Sequence, residues 1–231
     1  MTRIQCANGR WYQTPEGAWV PSVTNILGCY PKGQGFDRWQ AEQGGYVEAI
    51  AKRDAAGARG TLVHDAIAAL IAGETVQLPE DTDPKAGKFI EGFINWWQEF
   101  QPKVIASEIF LVGDGYAGTC DLIFHLRGEN WIIDYKTSSS VHTSHHLQTA
   151  AYATAAVMMD IVPVVHRRAI LHLKTTTKKG WQAVESSHTP AEDHAAFLAC
   201  KTIFHHEYGN EPIPFEADLP KSLVYALKET E

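Results

Sequence analysis

The sequence is poor in cysteine, has no C-x-x-C pair, no internal repeat and no apolar run of bilayer length. Its four cysteines, Cys6, Cys29, Cys120 and Cys200, lie far apart. That spacing argues against a disulfide framework and fits reduced thiols in a cytoplasm. The longest apolar stretch, Ala150 to Met159, is ended by Asp160 and Pro163. It is well short of the ~20 residues that cross a bilayer, so no membrane partner is expected. The opening Met-Thr-Arg-Ile-Gln-Cys carries no apolar signal region, which does not support secretion. Basic charge is in deficit as well: 20 Lys+Arg face 27 Asp+Glu, a net charge of −7. A protein that coats nucleic acid non-specifically needs the opposite balance.

What is present reads as an ordinary globular chain. The 231 residues are 45% hydrophobic and 20% charged, enough to bury a core without a metal or disulfide. One domain over residues 1–231 is expected. It divides into strands, turns and helices over 1–100, a core over 101–210 and an extended tail over 211–231. The Gly-, Pro- and aromatic-rich start leads into a small helix near Ser22–Leu27. Phe36 to Ala56 reads as a helix. A second helix opens at Gly60-Thr61, with Thr61 as its N-cap and Val63, Ile67, Leu70 and Ile71 at helical spacing. Lys85 to Phe100 is an amphipathic helix. Val104–Val112, Tyr116–Leu126 and Trp131–Thr137 form a three-strand meander. A helix over Ser144–Met159, strands at Val164–Thr175 and Trp181–Ser186, and a helix from Pro190 to about Tyr208 complete an α/β pattern whose sheet starts antiparallel, not a run of βαβ units.

The chemistry concentrates between Tyr116 and Tyr152. Asp134 and Lys136 alternate along one strand and share a face. Alone, D-x-K is common on solvated strand ends. Here Asp121 stands on the preceding strand, where it reaches Asp134 at the roughly 5 Å spacing of paired strands. Two carboxylates that close need a proton or a cation between them. Oxygen ligands on a hairpin suit Mg²⁺ or Mn²⁺, with the Tyr135 carbonyl as a further donor. Lys136 is then placed to orient or deprotonate a water, or to neutralise phosphate charge. A nearby metal lowers its pKa and the Asp residues raise it. Gln148 and Tyr152 lie one helical turn apart on a common face. His64 is expected in the first turn of its helix. His142, His145 and His146 read as a polar helix start rather than zinc ligands, because no matching Cys or His pair accompanies them.

Arg59-Gly-Thr-Leu-Val-His64, Ser107-Glu108, Gly118-Thr-Cys-Asp121, Ile132-Ile-Asp-Tyr-Lys-Thr137 and Gln148-Thr-Ala-Ala-Tyr152 occur in the order found in RecB-type nucleases. This arrangement resembles the PD-(D/E)xK superfamily, and small phage and mitochondrial exonucleases in particular. The resemblance spans residues 59 to 152, and Pro21-Ser-Val-Thr-Asn-Ile-Leu27 adds a shorter similarity. It implies a restriction-endonuclease-like core, a mixed central sheet flanked by helices, with an N-terminal helical elaboration. It implies that His64, Asp121, Asp134 and the Tyr135 carbonyl hold one or two Mg²⁺ or Mn²⁺ ions, with Glu108 as a further acidic position. Lys136 would be the catalytic lysine. Gln148, Tyr152, Thr137 and Ser138 would brace the site or touch the substrate. Some relatives carry an iron–sulfur cluster; Cys200 is the sole late cysteine, so none is expected here.

The implied activity is metal-dependent hydrolysis of DNA from strand ends, in phage or bacterial recombination, repair or degradation. The alternatives are an endonuclease of the same superfamily and a non-catalytic nucleic-acid-binding accessory subunit. A homo-oligomer or a recombination partner protein is compatible with either. The acid excess sits away from the motifs, since residues 74–99 and 207–231 each carry six acids against two bases. Between Ile161 and Val184 there are five basic residues and no acid. Lys178 and Lys179 at a hairpin tip are therefore candidate phosphate contacts.

Overall fold

The computed structural model describes residues 2–215. Of the tail expected over 211–231, the part beyond residue 215 lies outside the described residues. A three-stranded antiparallel sheet comes first: β1 (Arg3–Cys6), β2 (Gly9–Gln13) and β3 (Trp19–Pro21). Trp11 is fully buried against Phe204, and its indole N–H donates to Asn8 at 3.0 Å. Asn8 in turn donates to the carbonyls of Tyr208 and Glu211 and accepts from the Ile213 N–H. This one side chain ties the start of the chain to the end of its described part. Helix α1 (Val23–Ile26) follows, capped by the Ser22 hydroxyl.

Next come α2 (Gly33–Ala41), α3 (Tyr46–Ile71) and α4 (Pro84–Phe100). Here the helix boundaries differ from the sequence expectation. The break falls at Gly44-Gly45, where Gly45 takes φ 146° ahead of α3, not at Gly60-Thr61. Thr61 does not cap a helix; its hydroxyl donates back to the Gly57 carbonyl at 3.3 Å. His64 therefore lies deep inside a long helix rather than in a first turn. Interior glycines cost about 1 kcal/mol each relative to alanine, but Val63 and Ile67 are completely buried. Burial of such side chains returns about 1.5–3 kcal/mol each, so packing overrides the local signal. α4 begins as expected, with Asp83 capping the Lys85 N–H at 2.9 Å.

The main sheet has the order β4-β5-β6-β7-β8, from Lys103–Gly113, Tyr116–Leu126, Glu129–Lys136, Arg167–Leu173 and Trp181–Glu185. β4, β5 and β6 form the expected antiparallel meander, β6 and β7 run parallel, and β8 is antiparallel to β7. Between β6 and β7 the chain crosses over through α5 (Thr143–Met158), as a parallel connection requires. α6 (Pro190–Tyr208) starts with a Thr189–Glu192 capping box. On one sheet face Leu122, Phe124, Ile133 and Tyr135 pack on α3 and α4 through Val63, Ile67, Phe93 and Trp96. On the other, Ile123 and Ile132 pack on α5 and α6 through Leu147, Ala151, Phe197 and Phe204. The result is a mixed sheet between two helical layers. No helix among the described residues is long and apolar enough to cross a membrane.

Candidate metal and catalytic site

The site forms where β5 and β6 part at their buried ends. The last ladder pair is Leu122 with Ile133. One residue further, the Asp121 carboxylate accepts the Tyr135 N–H at 2.7 Å. A side chain thus takes over from the strand ladder, and both Asp121 and Asp134 are buried. From above, His64 on α3 brings Nε2 to 3.1 Å from the Tyr135 carbonyl and Nδ1 to 3.4 Å from Asp121. Glu108 on β4 joins them from the other side, and its backbone adopts φ 49°, a left-handed conformation uncommon outside glycine. One donor atom each from His64, Glu108 and Asp121 falls within 4.8 Å of the others.

Asp134 is held differently. Its Oδ1 accepts from the Gln148 amide at 2.8 Å, and that amide also reaches Tyr152 Oη at 3.3 Å. Its Oδ2 lies 2.6 Å from Lys136 Nζ, yet in a geometry that leaves the oxygen without a hydrogen bond. Gly118 makes room for the brace: a Cβ there would come within 2.9 Å of the Tyr152 ring. Thr137 faces Gly60, and the Ser138 carbonyl meets His172 Nε2 at 2.7 Å.

The electrostatics fit a cation. Burial pushes the Asp134 carboxyl up, with Lys136 pulling against it. Partial burial and the charge of Asp121 raise Glu108 to about 7. Burial works against charge on His64, but the Asp121 carboxylate overrides it and lifts the imidazole to about 9. Carboxylates raised in this way are short of positive charge. A buried Asp134 oxygen whose one close partner is the Lys136 ammonium, three clustered donors and an adjacent carbonyl suit a hard, oxygen-seeking divalent ion. For Lys136, burial opposes the ammonium while Asp134 and Asp121 stabilise it, and its pKa ends up raised. The two opposing influences read from the sequence are thus resolved, without a metal, in favour of the charged form.

Two clefts open on this cluster. The larger, about 890 Å³, runs beside Lys136 under α2 and α3. Lys32, Lys52, Arg53 and Arg59 line it, as do Phe36 and Trp39, and it has no Asp or Glu in its lining. The smaller, about 440 Å³, lies on the Glu108 side. Gly57, Gly60 and His64 line both, so the clefts adjoin below α3.

A family model of the PD-(D/E)XK nuclease superfamily matches residues 37–203. The chain belongs to that superfamily. No curated protein matches it significantly. Membership accounts for the restriction-endonuclease-like sheet, and it brings metal-dependent nuclease activity with DNA as the substrate. Proteins of this superfamily use divalent metal ions, and His64, Glu108 and Asp121 form a site able to take one.

Of the residues singled out by the motifs, the structure gathers His64, Glu108, Asp121, Asp134, Tyr135, Lys136, Gln148 and Tyr152 around one point. Thr137 and Ser138 line the larger cleft. Lys178 and Lys179 do not line either cleft. Lys179 pairs with Glu99 at 3.1 Å and covers the Trp181 ring at 3.6 Å. Two further bases of that strip are similarly committed, Arg167 to Glu185 and Arg168 to Asp193, and Lys174 donates to Gln182. Residues that sequence reasoning passed over, Lys32, Lys52, Arg53 and Phe36, take their place in the cleft. They belong to no motif and become neighbours only through the turn at Gly44-Gly45.

Proposed function

We propose that the protein is a metal-dependent DNA exonuclease of the RecB type, hydrolysing phosphodiester bonds from strand ends in recombination, repair or DNA degradation. The observation that carries this reading is the pair of clefts meeting beneath α3 at the carboxylate cluster. A strand entering one cleft passes the cluster under the side-chain-free faces of Gly57 and Gly60. A free end threads such a passage more easily than a continuous duplex does. In the larger cleft Phe36 and Trp39 offer stacking faces and the Lys and Arg side chains offer phosphate contacts, the combination that holds single strands. The pairs Lys52–Glu48 and Arg53–Asp54 are exposed, so a phosphate can displace their carboxylates at little cost.

His64, Asp121, Glu108 and the Tyr135 carbonyl would hold Mg²⁺ or Mn²⁺, with Asp134 presenting the oxygen that faces Lys136. When bound, the ion supplies a water of lowered pKa and a Lewis acid at the phosphate. The Lys136 ammonium neutralises charge that builds on a non-bridging phosphate oxygen. Gln148 fixes the Asp134 rotamer, and Tyr152 fixes Gln148. Asp121 holds His64 and the Tyr135 backbone in a common orientation.

The decisive measurement is a gel series on end-labelled single strands, duplexes and single-stranded circles, with Mg²⁺, Mn²⁺ or EDTA. Linear strands should shorten progressively with either ion and persist in EDTA, while circles resist. Rapid cleavage of circles would overturn the end-dependent reading in favour of an endonuclease.

A further inference from the structure

The smaller cleft is walled by a part of the chain outside the family match. Arg3 on β1 and Arg10 on β2 both line it, across from Glu108 and His64. The register of the sheet explains why they point the same way. Arg3 pairs with Tyr12 and Gln5 with Arg10, so Arg3 and Arg10 are diagonal neighbours on one face, about 7–8 Å apart. The opposite face carries Ile4, Cys6 and Trp11 into the core. That packing, with Ser22 bridged to Ala117 of β5, fixes the sheet rigidly against the site. Among the described residues neither guanidinium has a carboxylate within ion-pair distance, a state shared with Arg38 and Arg127, whereas Arg53, Arg59, Arg167 and Arg168 all have one; of the four without one, Arg3 and Arg10 are the two that line the cleft beside Glu108. Arg3 is exposed and Arg10 half-buried, so two cationic forks stand on the wall of a cleft that also holds Asp65 and Glu108, placed to meet an anion that enters it. Tyr12, Ser22 and Thr24 border the same space and add hydroxyl donors.

We propose that Arg3 and Arg10 form a phosphate subsite for the single-stranded DNA backbone on the far side of the metal cluster from Lys136. The subsite rests on the nuclease reading above and sharpens it: the substrate is gripped on both sides of the bond to be cut. Lys32, Lys52 and Arg53 hold it in one cleft, and Arg3 and Arg10 hold it in the other. Both arginines belong to β-strands of the small sheet, so the grip is preorganised rather than assembled from a loop. Guanidinium groups suit this role because their fork of donors matches two phosphate oxygens.

The test is the binding of a fluorescent oligothymidylate in EDTA, where no cleavage occurs, followed by anisotropy over a series of NaCl concentrations. The Arg3→Gln/Arg10→Gln double variant should flatten the slope of log K against log salt by about 1.4, two contacts at about 0.7 each on a single strand. With metal present, its KM should rise several-fold with kcat unchanged. Arg3→Lys/Arg10→Lys, which keeps both charges, should restore most of the slope. Lys178→Gln/Lys179→Gln, which removes the same charge elsewhere, should leave the slope as in the wild type. Circular dichroism of each variant checks that the small sheet is intact. An unchanged slope in the arginine variant, or an equal loss in the Lys178/Lys179 variant, overturns the subsite. If the wild type binds and the slope flattens but no metal supports cleavage, the exonuclease reading falls and the subsite stands. If the wild type cleaves and the slope does not move, the subsite alone falls.

Discussion

Two buried basic–acidic pairs stand on adjacent strands of the main sheet, Arg168–Asp193 at 2.9 Å and Lys136–Asp134 at 2.6 Å. Around the first, every group is answered. Arg168 also donates to the His146 carbonyl and to Thr149 Oγ1, and it joins β7 to α5 and α6. Around the second, the accounts of charge do not close. A second carboxylate, Asp121, lies beside the pair, an Asp134 oxygen has no hydrogen bond, and the lysine reaches a cleft. A closed network of this kind holds elements together. An open one, with carboxylate in excess, is built to receive something. The difference is invisible in a pairwise description, since both are an acid and a base in contact.

The contrast can be broken by removing one member from each pair. Arg168→Ala leaves Asp193 buried without a partner and should cost about 3–5 kcal/mol. For a chain of this size that lowers Tm by about 2–4 °C per kcal/mol. Cleavage per folded molecule at low temperature should stay at the wild-type level. A thermal shift equivalent to less than about 1 kcal/mol would show that the pair is not structural. Lys136→Ala should do the reverse. Mg²⁺-dependent cleavage should drop about 10²–10³-fold, the loss typical of one transition-state charge contact. Its Tm should stay within a few degrees of wild type, and full activity in this variant would remove Lys136 from the chemistry.

Gly118→Ala tests the brace behind Asp134. The added Cβ meets the Tyr152 ring at 2.9 Å, and overpacking of this kind costs about 1–3 kcal/mol. Stability and cleavage should fall together, unlike in the two variants above, because Tyr152 supports Gln148 and Gln148 supports Asp134. Activity that persists while Tm drops would separate the brace from the site.

The smallest effect expected is in the pH dependence of the metal-free protein. Glu108 is raised from 4.5 to about 7, so the folded state keeps a proton that the unfolded chain releases. Its contribution to stability is lost as pH rises across that window. His64 is raised from 6.5 to about 9, so its contribution is complete below 6.5 and is lost as pH climbs through 9. Both signs agree: in EDTA, Tm should decline with rising pH. Divalent ions compete with protons for these groups, so the Tm gained from Mg²⁺ should grow with pH. A gain independent of pH would mean that the ion binds elsewhere. Arg168→Ala should show the same metal-dependent gain as the wild type.

Much of this was legible in order along the chain. The meander, the helices α5 and α6, and the alternation that puts Asp134 beside Lys136 all follow from periodicity and turn residues. Those signals are local, and local energies decide them. The long helix α3 was not legible, because Gly57 and Gly60 read as breakers when the residues that rescue the helix, Leu122 and Ile133 among its neighbours, lie on strands far away in sequence. The place of the basic residues was hidden for a related reason. A basic run such as residues 161–184 looks free in one dimension, while Glu99, Glu185 and Asp193 come from outside it to pair with Lys179, Arg167 and Arg168.

The sequence by itself determined the acid–acid–lysine chemistry, since Asp121, Asp134 and Lys136 are set by strand alternation and hairpin register. It also determined that a proton or a cation must sit there, because two carboxylates at that spacing repel. Only the tertiary structure decided which cations of the chain line the two clefts, which donor atoms cluster around His64, and that the Asp134 and Asp121 carboxylates hold Lys136 in its charged form. Those outcomes depend on burial and on charges brought together across long separations, and neither quantity is written in any local stretch of residues.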